Sequence, residues 1–241
     1  MLRVTHPIPC AFIAAALAAC GSDSNGPDAR FACLGQTLPT TAPPAIAVTG
    51  RVTDIVTHNP VSNASVFAFR TGDTTTVAAD TSSTPGDYIV SIPTGGTPLD
   101  GYLRVSASGF MSSYAYPAQP LRADTVNDIV MITPTEFSLL AAAASITPQA
   151  GKGFIGIVVK DCTGAPISGA TVTTNPAGTV LYNVVGVPSS SASSTAADGI
   201  GYIANVTAGD VVVRATASGH TLRQHTVNAR ADAITLTEIR P

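Results

Sequence analysis

The chain has 241 residues and a formal net charge of −3, from 12 Lys and Arg against 15 Asp and Glu. This small negative charge, without long runs of either sign, argues against the basic surface of a nucleic-acid-binding protein. Apolar residues make up an ordinary 45% of the sequence, but charged residues make up only 11%. Thr, Ser, Ala, Gly and Val replace them. This composition favours short strands with tight turns over helices held by ion pairs.

The first residues of the sequence have the layout that is typical of a leader. One cation, Arg3, precedes an apolar run over residues 11–19, which is too short to span a bilayer as a permanent helix. The run ends in Leu17-Ala18-Ala19-Cys20, and the chain then turns polar. This layout predicts export, with residues 1–19 as a signal peptide, and a plain cleaved signal without lipid is the alternative.

The four residues that end the leader resemble the lipobox of bacterial lipoproteins, in which an aliphatic residue and two small residues precede a cysteine. The resemblance implies that the chain is cut before Cys20 and that the Cys20 thiol is acylated. The predicted partner is therefore a membrane of the bacterial cell envelope, held through an acylated N-terminus. Several acyl chains, at about 0.8 kcal/mol per buried methylene, would hold the protein at the bilayer. Gly21 after the cysteine implies the outer membrane if the cell is Gram-negative.

Residues 20–45 are polar and rich in proline, which predicts a flexible tether. Phe31 and Leu34 interrupt this segment, and their shielding requires that part of the tether lies against a folded domain. Between them is Cys33, and Cys162 lies far along the chain. An exported protein reaches a compartment that permits disulfides, so a Cys33–Cys162 bond is predicted, worth roughly 4–5 kcal/mol at most in the chain-entropy model. Two free thiols are the alternative.

An internal repeat follows the tether. Residues 50–66 read GRVTDIVTHNPVSNASV and residues 156–172 read GIVVKDCTGAPISGATV. Without a gap, Gly50 matches Gly156 and Pro60 matches Pro166. The repeat predicts two copies of one domain, at residues 46–133 and 153–241.

Each copy shows alternating apolar residues between Gly-, Pro- and Asn-rich turns. In the first copy the predicted strands lie near residues 46–52, 64–69, 86–92, 101–107, 113–118 and 127–132. In the second they lie near residues 154–159, 170–174, 180–185, 201–205, 210–217, 222–227 and 233–239. Roughly seven short strands per copy is typical of a small sandwich. The predicted fold class is all-β, with two tandem seven-stranded antiparallel β-sandwiches.

The order of Gly, Asp, Pro-Val/Ile, Gly/Asn-Ala and Val, followed by a Gly-x-Tyr strand and a Ser-Gly-aromatic turn, resembles the carboxypeptidase regulatory-like domain. The resemblance implies a transthyretin-like, Ig-like β-sandwich in each copy. Asn63 stands where the family usually has Gly, and Asn tolerates the left-handed backbone that a turn requires. Such modules are classed near starch-binding-like folds, which implies an association with carbohydrate.

Residues 134–152 are predicted to form a helical linker. Thr133 and Glu136 have the spacing of a capping box, and Pro134 suits the first helical position. The helix is expected to run about three and a half turns and to end before Thr147-Pro148. One face carries Phe137, Leu140, Ala141 and Ala144. This face should pack on the sandwiches, with docking of a partner as the alternative.

The chain carries none of the familiar catalytic or phosphate-binding motifs. His58, His220 and His225 are interpreted as solvated surface side chains, and the scattered Asp residues as turn residues. Asp124 and Asp128 are a weak calcium candidate. No catalytic residue, metal or cofactor is predicted, and the protein is not expected to be an enzyme.

Tyr114 and Tyr116, two apart on a predicted strand, point to the same side and could stack on sugar rings or on a partner. Core packing of these tyrosines is the alternative. The function predicted first is a noncatalytic, membrane-anchored structural, adhesive or assembly module at the bacterial cell surface. The second is a polysaccharide-binding lipoprotein, and the third is a hydrolase. The predicted partners besides the membrane are a polysaccharide or a cell-surface protein.

Overall fold

The computed structural model describes residues 28–241, so the predicted signal peptide and Cys20 lie outside the described residues. A short 3-10 helix covers Ala29–Phe31. The first half of the fold contains eight strands: β1 (Ala45–Asp54), β2 (Ser65–Arg70), β3 (Thr76–Thr81), β4 (Asp87–Pro93), β5 (Gly101–Ser106), β6 (Ser113–Tyr116), β7 (Thr125–Val126) and β8 (Ile129–Met131).

Helix α1 (Pro134–Ala143) separates this half from the second. The second half contains nine strands: β9 (Lys152–Val159), β10 (Thr171–Asn175), β11 (Thr179–Val184), β12 (Val187–Ser189), β13 (Ile200–Thr207), β14 (Gly209–Ala217), β15 (His220–Thr221), β16 (His225–Ala229) and β17 (Ile234–Ile239). The all-β sandwich class is confirmed. Strands β3, β7, β12 and β15 were not among the predicted strands.

The two halves share one sheet. Its nine strands run in the order β12-β11-β13-β9-β17-β6-β5-β2-β3, so it crosses from one half to the other where β17 pairs with β6. Each half adds its own four-stranded sheet, with β4, β1, β7 and β8 in the first half and β10, β14, β15 and β16 in the second. The sandwiches are therefore joined edge to edge by backbone hydrogen bonds, and not only by the helix.

The two smaller sheets cover opposite faces of the shared sheet. Successive residues of a strand point to opposite sides. On β6, Ala115 belongs to the core of the first half, whereas its neighbour Tyr116 belongs to the core of the second. Tyr116 is the register partner of Thr237 on β17, and Thr237 is the partner of Ile157 in the second core. Each half thus leaves one side of its part of the shared sheet uncovered by the smaller sheet.

The strands were expected to pair only in antiparallel fashion, but some pairs are parallel. The last strand of each half returns beside the first strand and runs in the same direction, so β8 pairs parallel with β1 and β17 pairs parallel with β9. The β17–β6 junction and the β1–β7 pair are also parallel. The sequence pattern does not distinguish these cases, because side chains alternate in both kinds of ladder.

Hydrogen bonds repeat between the halves in detail. In the first half the buried Ser82 hydroxyl accepts from the Ala64 amide at 2.9 Å and donates to the Val61 carbonyl at 2.7 Å. In the second half Thr195 bonds in the same way, accepting from the Ala170 amide and donating to the Ile167 carbonyl, again at 2.9 and 2.7 Å. A shared bridge of this kind supports the duplication better than sequence identity does.

The gap-free alignment of the repeat is off by one residue in its first strand. The amide of Val52 donates to Gly86, and the amide of Val159 donates to Gly199 in the same position of the other half. Asp54 and Asp161 then both accept amide hydrogen bonds in the following turn. The turn from Asp54 to Pro60 is therefore one residue longer than the turn from Asp161 to Pro166. The gap-free alignment does not allow for this extra residue, so it pairs the residues of the preceding strand one position out of register.

The expected turn conformation at Asn63 is found. Asn63 has φ +57°, and Gly169, its counterpart in the second half, has φ +80°. Both lie in the left-handed region that glycine and asparagine tolerate.

Helix α1 begins as expected and ends earlier. Thr133 accepts from the Glu136 amide, and the Glu136 carboxylate accepts from the Thr133 amide, which completes the capping box. The helix ends at Ala143, and Ser145 takes φ +58°, so the helix is one turn shorter than expected. The ring of Phe137 packs edge-on against Phe154 at 5.3 Å, which places the apolar face on the uncovered side of the second half. Among residues 28–241, no helix is long and apolar enough to cross a membrane.

The predicted disulfide is present. Cys33 and Cys162 are bonded, with their Cα atoms 5.7 Å apart. Phe31 is 6% exposed and belongs to the core of the second half, where its ring stacks on His220 at 4.3 Å. Leu34 packs against the same core. The apolar interruption of the tether is thus shielded as expected, and the chain is held against the second half at this point.

Candidate functional site

Tyr114 and Tyr116 lie on β6, where this strand joins the second half. Tyr116 is 4% exposed and forms part of the second core, so it takes no part in an exposed tyrosine pair. Burial raises the pKa of the Tyr116 phenol to about 12, against a smaller opposing effect of the nearby Arg230. Tyr114 keeps part of its surface in solvent. A stacking role therefore stays a prediction for Tyr114, and Tyr116 has the packing role that was the alternative.

Tyr114 belongs to a larger surface that we call the aromatic face. It is the uncovered side of the shared sheet in the first half, and it consists of Phe67, Phe69, Tyr102, Arg104, Tyr114 and, from the second half, Arg230. Three of its rings form a row across β2, β5 and β6: the centroids of Phe69 and Tyr102 are 5.2 Å apart, and those of Tyr102 and Tyr114 are 6.1 Å apart.

The sequence explains why these residues share a side. In SVFAFR, Val66 and Ala68 point into the first core, so Phe67 and Phe69 point to the other side of the sheet. Phe67 is partly exposed there, whereas Phe69 is only 6% exposed. In GYLRVS, Leu103 and Val105 are buried, so Tyr102 and Arg104 point outward. The outward positions of β2, β5 and β6 carry no carboxylate.

Both arginines of the aromatic face lie over rings. The Arg104 guanidinium carbon is 4.9 Å from the centroid of Phe67 and 5.4 Å from that of Phe69. The Arg230 carbon is 4.3 Å from the centroid of Tyr114 and 5.1 Å from that of Tyr102. Neither arginine forms an ion pair within residues 28–241. In both, Nε is buried without a hydrogen-bond partner.

A cavity of about 390 Å³ lies where the halves meet. Its lining includes Lys160, Glu238 and Arg240 of the second half. Glu238 forms ion pairs with Lys160 and, at 2.8 Å, with Arg240. Burial raises the pKa of Glu238, but the bonds to Lys160 and Arg240 outweigh this and hold it below its usual range. Glu238 is thus an ionised carboxylate committed to two cations, which is unlike a general acid or base poised near neutral pH.

A second cavity, of about 360 Å³, lies beneath helix α1. Its lining is predominantly apolar and includes Met131, Phe137, Phe154, Leu181 and Leu236. It is the gap that remains where the helix covers the uncovered side of the second half. A volume in this range can hold a small apolar molecule, but the lining offers few polar groups to orient one.

His225 is not the solvated surface side chain that was expected. It lies at the junction of the halves, where its Nδ1 is 2.8 Å from the Thr237 hydroxyl and its ring is 6.2 Å from that of Tyr116, edge-on. Burial lowers the pKa of His225, against a smaller opposing effect of Asp100. Thr237 is 4% exposed, so this histidine–hydroxyl pair is closed to a substrate. His220 is also engaged, through its stack on Phe31.

The two aspartates considered for calcium bind backbone instead. The Asp124 carboxylate accepts from the Ala47 amide at 2.8 Å, and the Asp128 carboxylate accepts from the Arg51 amide at 2.9 Å. Both therefore hold the segment around β7 against β1. Within residues 28–241, no group of three or more His, Cys, Asp or Glu side chains is placed to hold a metal ion.

No protein-family model matches the chain, and no curated protein sequence matches it. Solved structures match weakly. The Bacillus anthracis TIE protein is 11% identical over 80% of this chain, with a TM-score of 0.29, and the Streptococcal ancillary pilin is 10% identical over 82%, with a TM-score of 0.26. The matches span 33% and 62% of those two chains. Shaft pilin SpaA from Lactobacillus rhamnosus GG is 9% identical over 84% of this chain and 98% of its own, with a TM-score of 0.25. Similarity at this level carries no argument about function.

Proposed function

We propose that the protein is a noncatalytic, membrane-anchored lipoprotein that acts as a structural or adhesive module at the bacterial cell surface. The observation that supports this most is the shared nine-stranded sheet, which makes one body of two sandwiches. The Cys33–Cys162 bond adds the end of the tether to that body. A force applied through the N-terminus would therefore reach the second half directly, and the first half through the β17–β6 junction. The lipobox resemblance supplies the anchor in this proposal, and the family resemblance supplies the assignment of each half to carboxypeptidase regulatory-like domains.

Anchoring is tested in the native host with Cys20→Ser. Cys10 lies in the same leader but outside the lipobox, so Cys10→Ser is a matched control. We expect the wild type and Cys10→Ser in the detergent phase, with an acylated N-terminal cysteine by mass spectrometry, and Cys20→Ser in the aqueous phase or unprocessed. An unmodified N-terminus in the wild type would refute the anchor.

Polysaccharide binding is the second candidate function, and the aromatic face is the observation that favours it. Phe67 and Tyr114 keep part of their rings in solvent, and partly exposed aromatic rings are surfaces against which sugar rings pack. The residues of a hydrolase are less well placed: the His225–Thr237 pair is closed, and Glu238 is held between two cations. Retention of the purified full chain on immobilised glycans tests this candidate.

A further inference from the structure

We propose that the aromatic face binds an acidic polysaccharide, with sugar carboxylates held by Arg104 and Arg230 and sugar rings packed against the partly exposed Tyr114. This rests on polysaccharide binding, the second candidate function, and names the class of glycan. Neither the lipobox nor the fold resemblance bears on this choice. It follows from the charges of the aromatic face.

The shape of the aromatic face favours an extended ligand. The rings of Phe69, Tyr102 and Tyr114 follow one another at 5.2 and 6.1 Å across three neighbouring strands. Strands in a sheet lie about 4.8 Å apart, so the row advances by one ring per strand. Phe69 is only 6% exposed and Tyr102 is stacked between Phe69 and Tyr116, so Phe67 and Tyr114 give the face most of its exposed apolar surface. This surface lies open on the sheet, which suits an extended polymer, whereas a small molecule is normally enclosed in a pocket.

The charge of the aromatic face favours an anionic ligand. Arg104 and Arg230 are cations with no carboxylate partner among the described residues, and the outward positions of the three strands add no acid. Each guanidinium is already held in place by two rings. A positioned guanidinium binds a carboxylate through two parallel hydrogen bonds, and little side-chain freedom is lost when it does so. The face is thus complementary to an anion and not to a neutral glucan alone.

The small number of cations on the aromatic face favours an acidic glycan over a nucleic acid. Proteins that bind single strands also combine aromatic rings with cations, but they line a long positively charged groove that follows the phosphates. Here only two cations lie over the rings, and the whole chain carries a net charge of −3. A glycan with spaced carboxylates needs only such isolated cations.

The experiment measures the affinity of the full chain, purified in detergent, for polygalacturonate, amylose and double-stranded DNA. Arg104→Gln/Arg230→Gln is the test variant, since glutamine keeps much of each side chain's stem. Arg214, exposed on the outer side of β14 and without an ion pair among the described residues, is the matched control as Arg214→Gln. Tyr114→Ala tests stacking separately.

We expect binding to polygalacturonate that weakens with salt, falls roughly tenfold or more in the double arginine variant, falls in Tyr114→Ala and is unchanged in Arg214→Gln. Thermal melting of each variant shows that it is folded. Equal binding of amylose would retain the polysaccharide candidate and overturn the acidic class. If DNA binds as tightly as polygalacturonate, the binding reflects only nonspecific attraction between charges, and the proposal is overturned. It is also overturned if the protein binds neither glycan. The anchoring proposal is unaffected by each of these results, because its test is fractionation of Cys20→Ser.

Discussion

The Cys33–Cys162 bond should be one of the two largest contributions of the tether to stability, beside the burial of Phe31. The bonded residues are 129 positions apart, and the loop includes the whole first half. In the chain-entropy model a loop of this length is worth about 5 kcal/mol at 25 °C, mainly because the bond restricts the unfolded chain. This value is an upper estimate, since compact unfolded chains lose less entropy.

The test is guanidinium unfolding of the wild type and of Cys33→Ser/Cys162→Ser, followed by circular dichroism because the chain has no Trp. We expect the free energy of unfolding to fall by about 3–5 kcal/mol in the double variant. A loss below about 1 kcal/mol would refute the reasoning. Peptide mapping that finds both thiols free in the wild type would refute the bond itself.

Phe31 provides an internal check of the same prediction. It is buried against the second core beside the bond, and Phe→Ala in such a place costs about 3–5 kcal/mol. If the bond holds this segment in place, Phe31→Ala should cost less once both cysteines are serine, because the segment is then free to detach. Equal costs in the two backgrounds would show that the segment packs without the bond.

Three further predictions concern the second half and the junction. Thr195→Val should lower the free energy of unfolding by about 1–3 kcal/mol, because the buried Ala170 amide loses its acceptor. Gly199→Ala should lower it by at least about 1–2 kcal/mol, since Gly199 has φ +68° and a Cβ there would lie 2.6 Å from the Val159 oxygen. Stability should fall as the pH drops below about 6.5, because burial lowers the pKa of His225 in the fold and the unfolded chain binds the proton more readily; His225→Gln should reduce this slope.

Each of these predictions has a control in the chain. Thr195→Ser keeps the hydroxyl, as Ser82 does in the first half, and should be nearly neutral. Gly164 also has a positive φ, but a Cβ at this position would meet no atom within 4 Å. Gly164→Ala should therefore cost only the backbone strain, whereas Gly199→Ala should add the clash. His58 is exposed, and His58→Asn should leave the pH slope unchanged. If His225→Gln does not alter the dependence of stability on pH, the role given to His225 is wrong. Equal losses of stability in Thr195→Val and Thr195→Ser, or in Gly199→Ala and Gly164→Ala, would likewise contradict the structural reason given for that pair.

The elements with a local cause were predictable. Period-two alternation places β1, β5 and β14, because one side of each strand is buried regardless of its neighbours. The start of helix α1 was predictable for the same reason, since the capping box lies within Thr133–Glu136. The outward positions on β2 and β5 were predictable from the same alternation, because Phe67, Tyr102 and Arg104 lie between buried residues.

The sequence by itself determined most of the strands, the turn at Asn63, the internal repeat and the two cysteines available to pair, because each is recorded in neighbouring residues or in residue type. Only the tertiary structure decided that β17 pairs with β6, since backbone hydrogen bonds between edges leave no side-chain signature. That junction buries Tyr116, partly buries His225 and brings Arg230 to Tyr114 from more than a hundred residues away. The aromatic face is therefore completed by contacts between the halves, which no local pattern contains.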